Sequence, residues 1–160
     1  MEKQILSILE RDARTSPEKI AVMLGKPKSA VAKAIEDMEK RGVIRRYKTV
    51  IDWEKAGKER VFAFIDVRVT PSRGVGYDEI AGRIYKYPEV HSVYLVSGDY
   101  DLRVVVEGKT MQEVAFFVAE RLATIDGVLS TRTNFLLKKY KDDGDIFEEP
   151  DEDYRLAVAP

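Results

Sequence analysis

Cysteine is missing from all 160 residues, which excludes disulfides and thiolate metal sites and makes a reducing cytoplasm the expected home. Histidine is nearly missing too. His91 stands alone, so no zinc site can be built from imidazoles, and its place at the start of a strand reads as a surface or dimer-interface residue rather than a general base. No apolar run approaches the roughly 18 residues of a membrane span, and the N-terminus has no signal-peptide core. A soluble chain with no membrane partner is the expectation. There is no Walker A loop, nucleophile elbow or dinucleotide fingerprint. Asp99 and Asp101 are close in sequence, but nothing sets them on either side of a bond to be cleaved. No catalytic residue, metal or cofactor is therefore assigned.

Net charge is nearly absent as well, at −1, but it is unevenly spread. Residues 1–60 carry +5, residues 61–141 carry +1 and residues 142–160 carry −7. A basic N-terminal third suits a polyanionic partner, which the overall pI of about 6.0 conceals.

What is present begins with Ser16 to Lys48. Ser16 is a good N-cap, and Pro17 fits the first helical position, where a missing N–H costs nothing. Ile20, Ala21 and Leu24 share a face, and Gly25 can leave the helix in a left-handed conformation. After Lys26-Pro27, apolar residues recur at Val31, Ile35 and Met38, and Gly42 closes the segment. Two short helices joined by a glycine turn are a helix-turn-helix pattern, with small Ala21 allowing a close crossing. Lys28, Ser29, Ala32 and Lys33 face away from the stripe near the start of the second helix, the end that meets base edges in a major groove. Val43-Ile44-Arg45-Arg46-Tyr47-Lys48 reads as a short basic strand, a wing for the phosphate backbone. The expected contacts to double-stranded DNA are thus Lys26, Lys28, Ser29, Ala32, Lys33, Arg45, Arg46 and Lys48. Taken alone, such a helix pair is as readily an ordinary solvated one.

Ile5, Leu6, Ile8 and Leu9 add a first helix, giving a winged helix-turn-helix over residues 1–50. Residues 51–60 read as a linker in which Trp53 packs at the junction. From Val61 the period becomes two: Val61, Ala63, Ile65, Val67 and Val69 share a face, with Phe62 and Phe64 on the other. Pro71 to Gly76 reads as a loop. A helix with Ile80, Ile84 and Tyr87 follows, then strands at Val93–Val96 and Leu102–Val106. The capping box Thr110-Met111-Gln112-Glu113 opens a helix striped by Val114, Phe117, Val118, Leu122 and Ile125. A last strand, Leu129 to Lys139, alternates Thr131, Thr133, Phe135 and Leu137. The order β-α-β-β-α-β over residues 61–141 is a ferredoxin-like unit, so the fold class is α+β. Both helices cover one sheet face. The other carries Phe62, Phe64 and aliphatic residues, and burial at about 25 cal/mol per Å² favours covering it with a second copy. A homodimer is expected.

Ser97-Gly98-Asp99-Tyr100-Asp101 is the distinctive stretch of the second half. Glycine lets backbone amides approach a carboxylate, an aspartate takes an ammonium group and a tyrosine closes over the top. These are complementary parts for a free α-amino acid. An ordinary Gly-Asp hairpin turn is the competing reading.

Taken together, Ile5-Leu6 with Asp12-Ala13-Arg14, Glu39-Lys40-Arg41-Gly42-Val43-Ile44 and Val96-Ser97-Gly98-Asp99-Tyr100-Asp101 resemble the Lrp/AsnC, or feast/famine, family of transcription factors. The likeness runs from Ile5 to about Lys141. It implies a DNA-binding domain followed by an amino-acid-sensing, dimerising domain, with dimers assembling into tetramers, octamers or larger rings. It further implies an effector bound between subunits at Ser97, Gly98, Asp99, Tyr100 and Asp101, with Thr133 where the family's last strand usually carries threonine. Two features depart from the pattern. Glu36 and Asp37 follow Lys33 where relatives place more arginines, and residues 142–160 form an acidic tail. Residues 142–153 of that tail are expected to be mobile or solvated, and Tyr154–Val158 to dock on the sheet. A sirohaem-decarboxylase-like enzyme on the same two-domain architecture is the alternative, although it wants histidines that this chain lacks. A ligand-sensing module with a decayed DNA-binding half is a third.

Overall fold

The computed structural model of the chain describes residues 1–70 and 76–148. Residues 71–75 of the expected Pro71–Gly76 loop and the expected docking of Tyr154–Val158 lie outside the described residues. Two compact units result, Met1–Ile51 and Asp52–Pro160.

The first unit is built from α1 (Glu2–Arg11), α2 (Pro17–Leu24) and α3 (Lys28–Lys40). The Ser16 hydroxyl accepts from the Lys19 amide at 3.3 Å, so the cap satisfies one of the free amides at the start of α2. Gly25 ends that helix at φ 60°, a conformation in which a side chain would be strained. Ile5, Ile20, Ala21, Val31, Ala34 and Met38 form the core. Ala34 is buried where the sequence pattern pointed to Ile35, which is only partly covered. Val31, Ala34 and Met38 follow the three-then-four spacing of one helical stripe, which puts Ala34 at its centre and Ile35 at its edge.

The expected wing strand does not form. After Gly42, at φ 69°, residues 45–50 run on without a ladder partner. A strand exists only by pairing, and among the described residues of this unit no second extended segment returns alongside. Tyr47 is held instead by its hydroxyl, which donates to Glu39 Oε1 at 2.8 Å. Burial first, then that carboxylate, pushes its phenol up to about 12.

The second unit contains β1 (Val61–Val69), α4 (Tyr77–Ile84), β2 (Val90–Leu95), β3 (Leu102–Gly108), α5 (Met111–Phe117) and β4 (Val128–Phe135). The strands form one antiparallel sheet in the order β2-β3-β1-β4. Ala63, Ile65, Val67 and Val69 of β1 point into a core completed by Ile80 and Ile84 of α4, Leu102, Val104 and Val106 of β3, and Val114 and Phe117 of α5. At the start of α5 the Thr110 hydroxyl accepts from the Glu113 amide at 3.1 Å. The Glu113 carboxylate in turn accepts from the Lys109 amide at 2.7 Å, so the two ends of the box satisfy each other. Val118–Leu122 continue α5 as a π-helical turn, which the helical stripe alone does not announce.

β4 ends at Phe135 rather than Lys139, and Leu137 is 91% exposed. The last ladder pair is Ala63 with Phe135, and one further bond, from the Leu136 amide to Phe62 O at 2.8 Å, closes the contact with β1. Beyond it, β5 (Lys141–Asp142) and β6 (Asp145–Ile146) pair as a small exposed hairpin. Residues 142–148 of the acidic tail are thus exposed apart from half-buried Phe147, with the hairpin giving them local order, and residues 149–153 lie outside the described residues.

Candidate functional site

Two places combine exposed polar groups with a defined backbone. The first is the basic face of the helix-turn-helix unit. Lys26 follows the left-handed Gly25, and its amide donates to Ala21 O at 3.0 Å, which fixes the turn into α3. Lys28, Ser29 and Lys33 are exposed on the first turns of α3, and Ala32 is half-buried. Arg45, Arg46 and Lys48 are exposed on the extended segment after Gly42. Lys26, Lys33, Arg45, Arg46 and Lys48 have no carboxylate partner among the described residues. Lys28 does, since its Nζ lies 2.5 Å from Glu18 Oε1. The hydrogen bond from Lys28, helped by backbone and Ser16 donors, lowers the Glu18 carboxyl to about 2. Glu18 is therefore ionised at every physiological pH and competes with a phosphate for Lys28.

The second place is the β2–β3 loop. Its backbone is braced by β1. The Asp101 amide donates to Val67 O at 3.0 Å, the Asp101 Oδ2 accepts from the Val69 amide at 2.8 Å, and the Val96 amide donates to Asp101 O at 2.9 Å. Asp101 is thus half-buried and occupied in holding the loop. Gly98 takes φ 131°, and a Cβ built there would meet nothing within 4 Å. Its backbone lies open on that side. Ser97 and Asp99 are exposed, and Tyr100 is half-buried.

Two residues that sequence reasoning missed, Arg68 and Arg132, flank this loop, and a third, Asp66, holds one of them. Arg68 Nε and Nη2 donate to Asp99 O at 3.1 and 2.7 Å. The guanidinium carbons of Arg68 and Arg132 lie 5.3 and 5.0 Å from the centre of the Tyr100 ring, within the range of cation–π attraction. Asp66, only 1% exposed, accepts from Arg103 Nε at 2.9 Å, Arg132 Nη2 at 3.1 Å and Asn134 Nδ2 at 3.3 Å. Burial alone raises its carboxyl, but the two arginines outweigh this and hold it below the ordinary carboxylate range. The available signal is the break in β1's apolar alternation at Asp66 and Arg68. The register, with Asp66 opposite both Arg103 and Arg132, completes it.

Thr133 is not brought to these groups. It pairs with Ile65 on the helix-covered face, whereas Asp66 and Arg68 project from the opposite one. That opposite face carries Phe62, Phe64, Val105 and Tyr94 together with the Asp66–arginine cluster, so it is mixed rather than simply apolar. His91 lies on it too, paired with Glu107 and edge-on to Phe62.

A cleft of about 640 Å³ opens at the other end of β1, between Arg60, Glu89, Glu107 and Arg121. Its arginines are already matched, Arg60 with Glu107 and Arg121 with Glu89.

Residues 1–45 match the family model for a winged helix-turn-helix DNA-binding domain, and residues 62–146 match the Lrp/AsnC ligand binding domain. The uncharacterized HTH-type transcriptional regulator YugG of Bacillus subtilis is 52% identical over 99% of this chain and 96% of its own length. The HTH-type transcriptional regulator FL11 of Pyrococcus furiosus is 31% identical over 89% of this chain and 91% of its own. A feast or famine regulatory protein from M. tuberculosis, solved in complex with L-methionine, aligns with a TM-score of 0.72 at 25% identity. That alignment covers 88% of this chain and 92% of the other.

Proposed function

The chain belongs to the Lrp/AsnC family of transcriptional regulators, and on that premise we propose that a free amino acid, bound at the Ser97–Asp101 loop between subunits, adjusts its hold on DNA. The family membership makes it a transcriptional regulator and not an enzyme. The sirohaem-decarboxylase alternative is dropped, because the relatives are named as regulators.

One observation carries the effector reading. The loop with the open Gly98 backbone and the exposed Asp99 carboxylate is clamped to β1 by three backbone-directed contacts inside a matched ligand-binding domain. A preformed loop loses little ordering entropy when it closes on a ligand. The L-methionine complex of the mycobacterial relative supports an amino acid as the ligand class. Gly98 and its neighbours receive the carboxylate, Asp99 the ammonium, and Tyr100 covers them. Thr133, on the other face of the sheet, reaches an effector only from a second subunit.

The face bearing Phe62, Phe64 and Tyr94 is covered by a second copy, and the resulting dimers assemble further. A two-fold dimer presents two α3 helices to paired half-sites, with Lys26, Lys28, Ser29, Ala32 and Lys33 at the groove and Arg45, Arg46 and Lys48 along the backbone. An amino acid alters DNA affinity by binding one assembly better than another. The protein works in the cytoplasm, beside its DNA.

The test is calorimetric titration with each of the twenty amino acids, followed by gel shift on upstream DNA with and without the binder. Sedimentation velocity gives the assembly. Asp99→Ala is expected to abolish the effector response while DNA binding without effector is retained. A monomer at micromolar concentration, or an unchanged response in Asp99→Ala, contradicts the reading.

A further inference from the structure

The loop's recognition of a carboxylate by backbone alone leaves a charge unexplained. Two of its amides are already spent, Val96 on Asp101 O and Asp101 on Val67 O. Three guanidinium groups stand on the same sheet face beside it. Arg103 and Arg132 are committed to the buried Asp66. Arg68 is different. Two of its donors fix it to a neutral carbonyl, Asp99 O, and its cation has no carboxylate partner among the described residues. It is exposed, oriented by those two bonds and steadied by the Tyr100 ring.

A guanidinium held in place, unneutralised and open to solvent is a receptor for an anion. Its remaining donors are set in a planar fork that matches a carboxylate. Resting on the effector reading above, we propose that Arg68 is an effector-binding residue whose guanidinium takes the carboxylate of the bound amino acid. Asp99 then offers its side chain to the ammonium while its backbone carbonyl aims the arginine. One residue thus couples both ends of a zwitterion. Ligands with a free carboxylate are selected, and their amides and decarboxylated amines are rejected. Arg132 also lies against Tyr100, but Asp66 holds it, so it shapes the loop without meeting the ligand.

The experiment uses the full chain and calorimetry. Each of the twenty L-amino acids is titrated first, and the tightest binder is then compared with its own primary α-amide on wild type, Arg68→Met and Arg132→Met. Wild type is expected to prefer the acid by about 10- to 100-fold, the range of a charge-assisted hydrogen bond. Arg68→Met is expected to lose that preference, binding acid and amide alike at the wild-type amide's level. Arg132→Met is expected to weaken both ligands together and keep the preference. An unchanged melting temperature and unchanged DNA binding in Arg68→Met exclude a folding defect.

If Arg68→Met weakens acid and amide equally, Arg68 only braces the loop and the proposal is overturned. It is overturned as well if the variant still prefers the acid. Both results leave the amino-acid reading standing. Failure of every amino acid to bind wild type overturns that reading and this one together.

Discussion

Replacing Lys28 and Lys33 together by alanine is expected to weaken binding to upstream DNA on the order of 100-fold at 0.1 M salt, with the oligomer unchanged. Each lysine that meets a phosphate releases counterions and adds about 0.9 to the slope of log affinity against log salt. A dimer on two half-sites carries four such lysines, so the slope should flatten by up to about 4. The two residues should not contribute equally. Lys28 must first leave Glu18, 2.5 Å away, and Glu18 stays charged down to a pH of about 2. Lys33 makes no salt bridge, and the carboxylate that feels its charge, Glu36, is already paired with Lys40. Lys33→Ala alone should therefore cost more affinity than Lys28→Ala, and Glu18→Gln should raise affinity by freeing Lys28. Fluorescence anisotropy across a salt series separates these effects. A double variant with wild-type slope means that the start of α3 does not enter the groove between its flanking phosphates.

Signals written within a few neighbouring residues were legible in the sequence. Ser16-Pro17, Gly25 and the Thr110–Glu113 box each place a helix end where the structure has it, because a cap or a left-handed turn depends only on adjacent backbone. The alternation from Val61 to Val69 locates β1 for the same reason, since every second residue meets the same core. Features needing a partner elsewhere in the chain were not legible. The basic run after Gly42 has strand-like residues but no strand to pair with. The inner position in α3 went to Ala34 rather than Ile35, since the elements packed against the helix decide which edge of its stripe is innermost. The candidate loop shows the division most clearly. Ser97-Gly98-Asp99-Tyr100-Asp101 stands out by composition. That Asp101 braces the loop, and that Arg68 and Arg132 flank Tyr100, follows only once β1 is set between β3 and β4.

The same register makes Asp66 the hub of the polar cluster on that sheet face. Asp66→Ala is expected to lower that unit's stability by about 1–3 kcal/mol, read by the fluorescence of Trp53, its one tryptophan. A fully enclosed ion pair broken from one side costs more, roughly 3–5 kcal/mol. Here the Arg103 and Arg132 side chains are 49% and 59% exposed, so water recovers part of what the carboxylate gave them. The effect carries a pH signature. The folded-state carboxyl sits below its unfolded value, so its contribution is fully present above the ordinary aspartate range near 3.9. It disappears as pH falls through the lower folded value. The gap between wild type and Asp66→Ala should therefore be constant from about pH 5 to 8 and close under strong acid. Asp66→Asn keeps the shape and one acceptor while removing the charge, so a gap that persists in Asp66→Asn assigns the effect to the ionised form. Function should move with stability. Freed from Asp66, Arg132 no longer holds its place beside Tyr100, and the loop loses one of its two flanking cations. Effector affinity is expected to fall for acid and amide alike, the response of a brace rather than of a contact. A variant with wild-type melting temperature and wild-type effector affinity would mean that neither the sheet face nor the loop leans on this carboxylate.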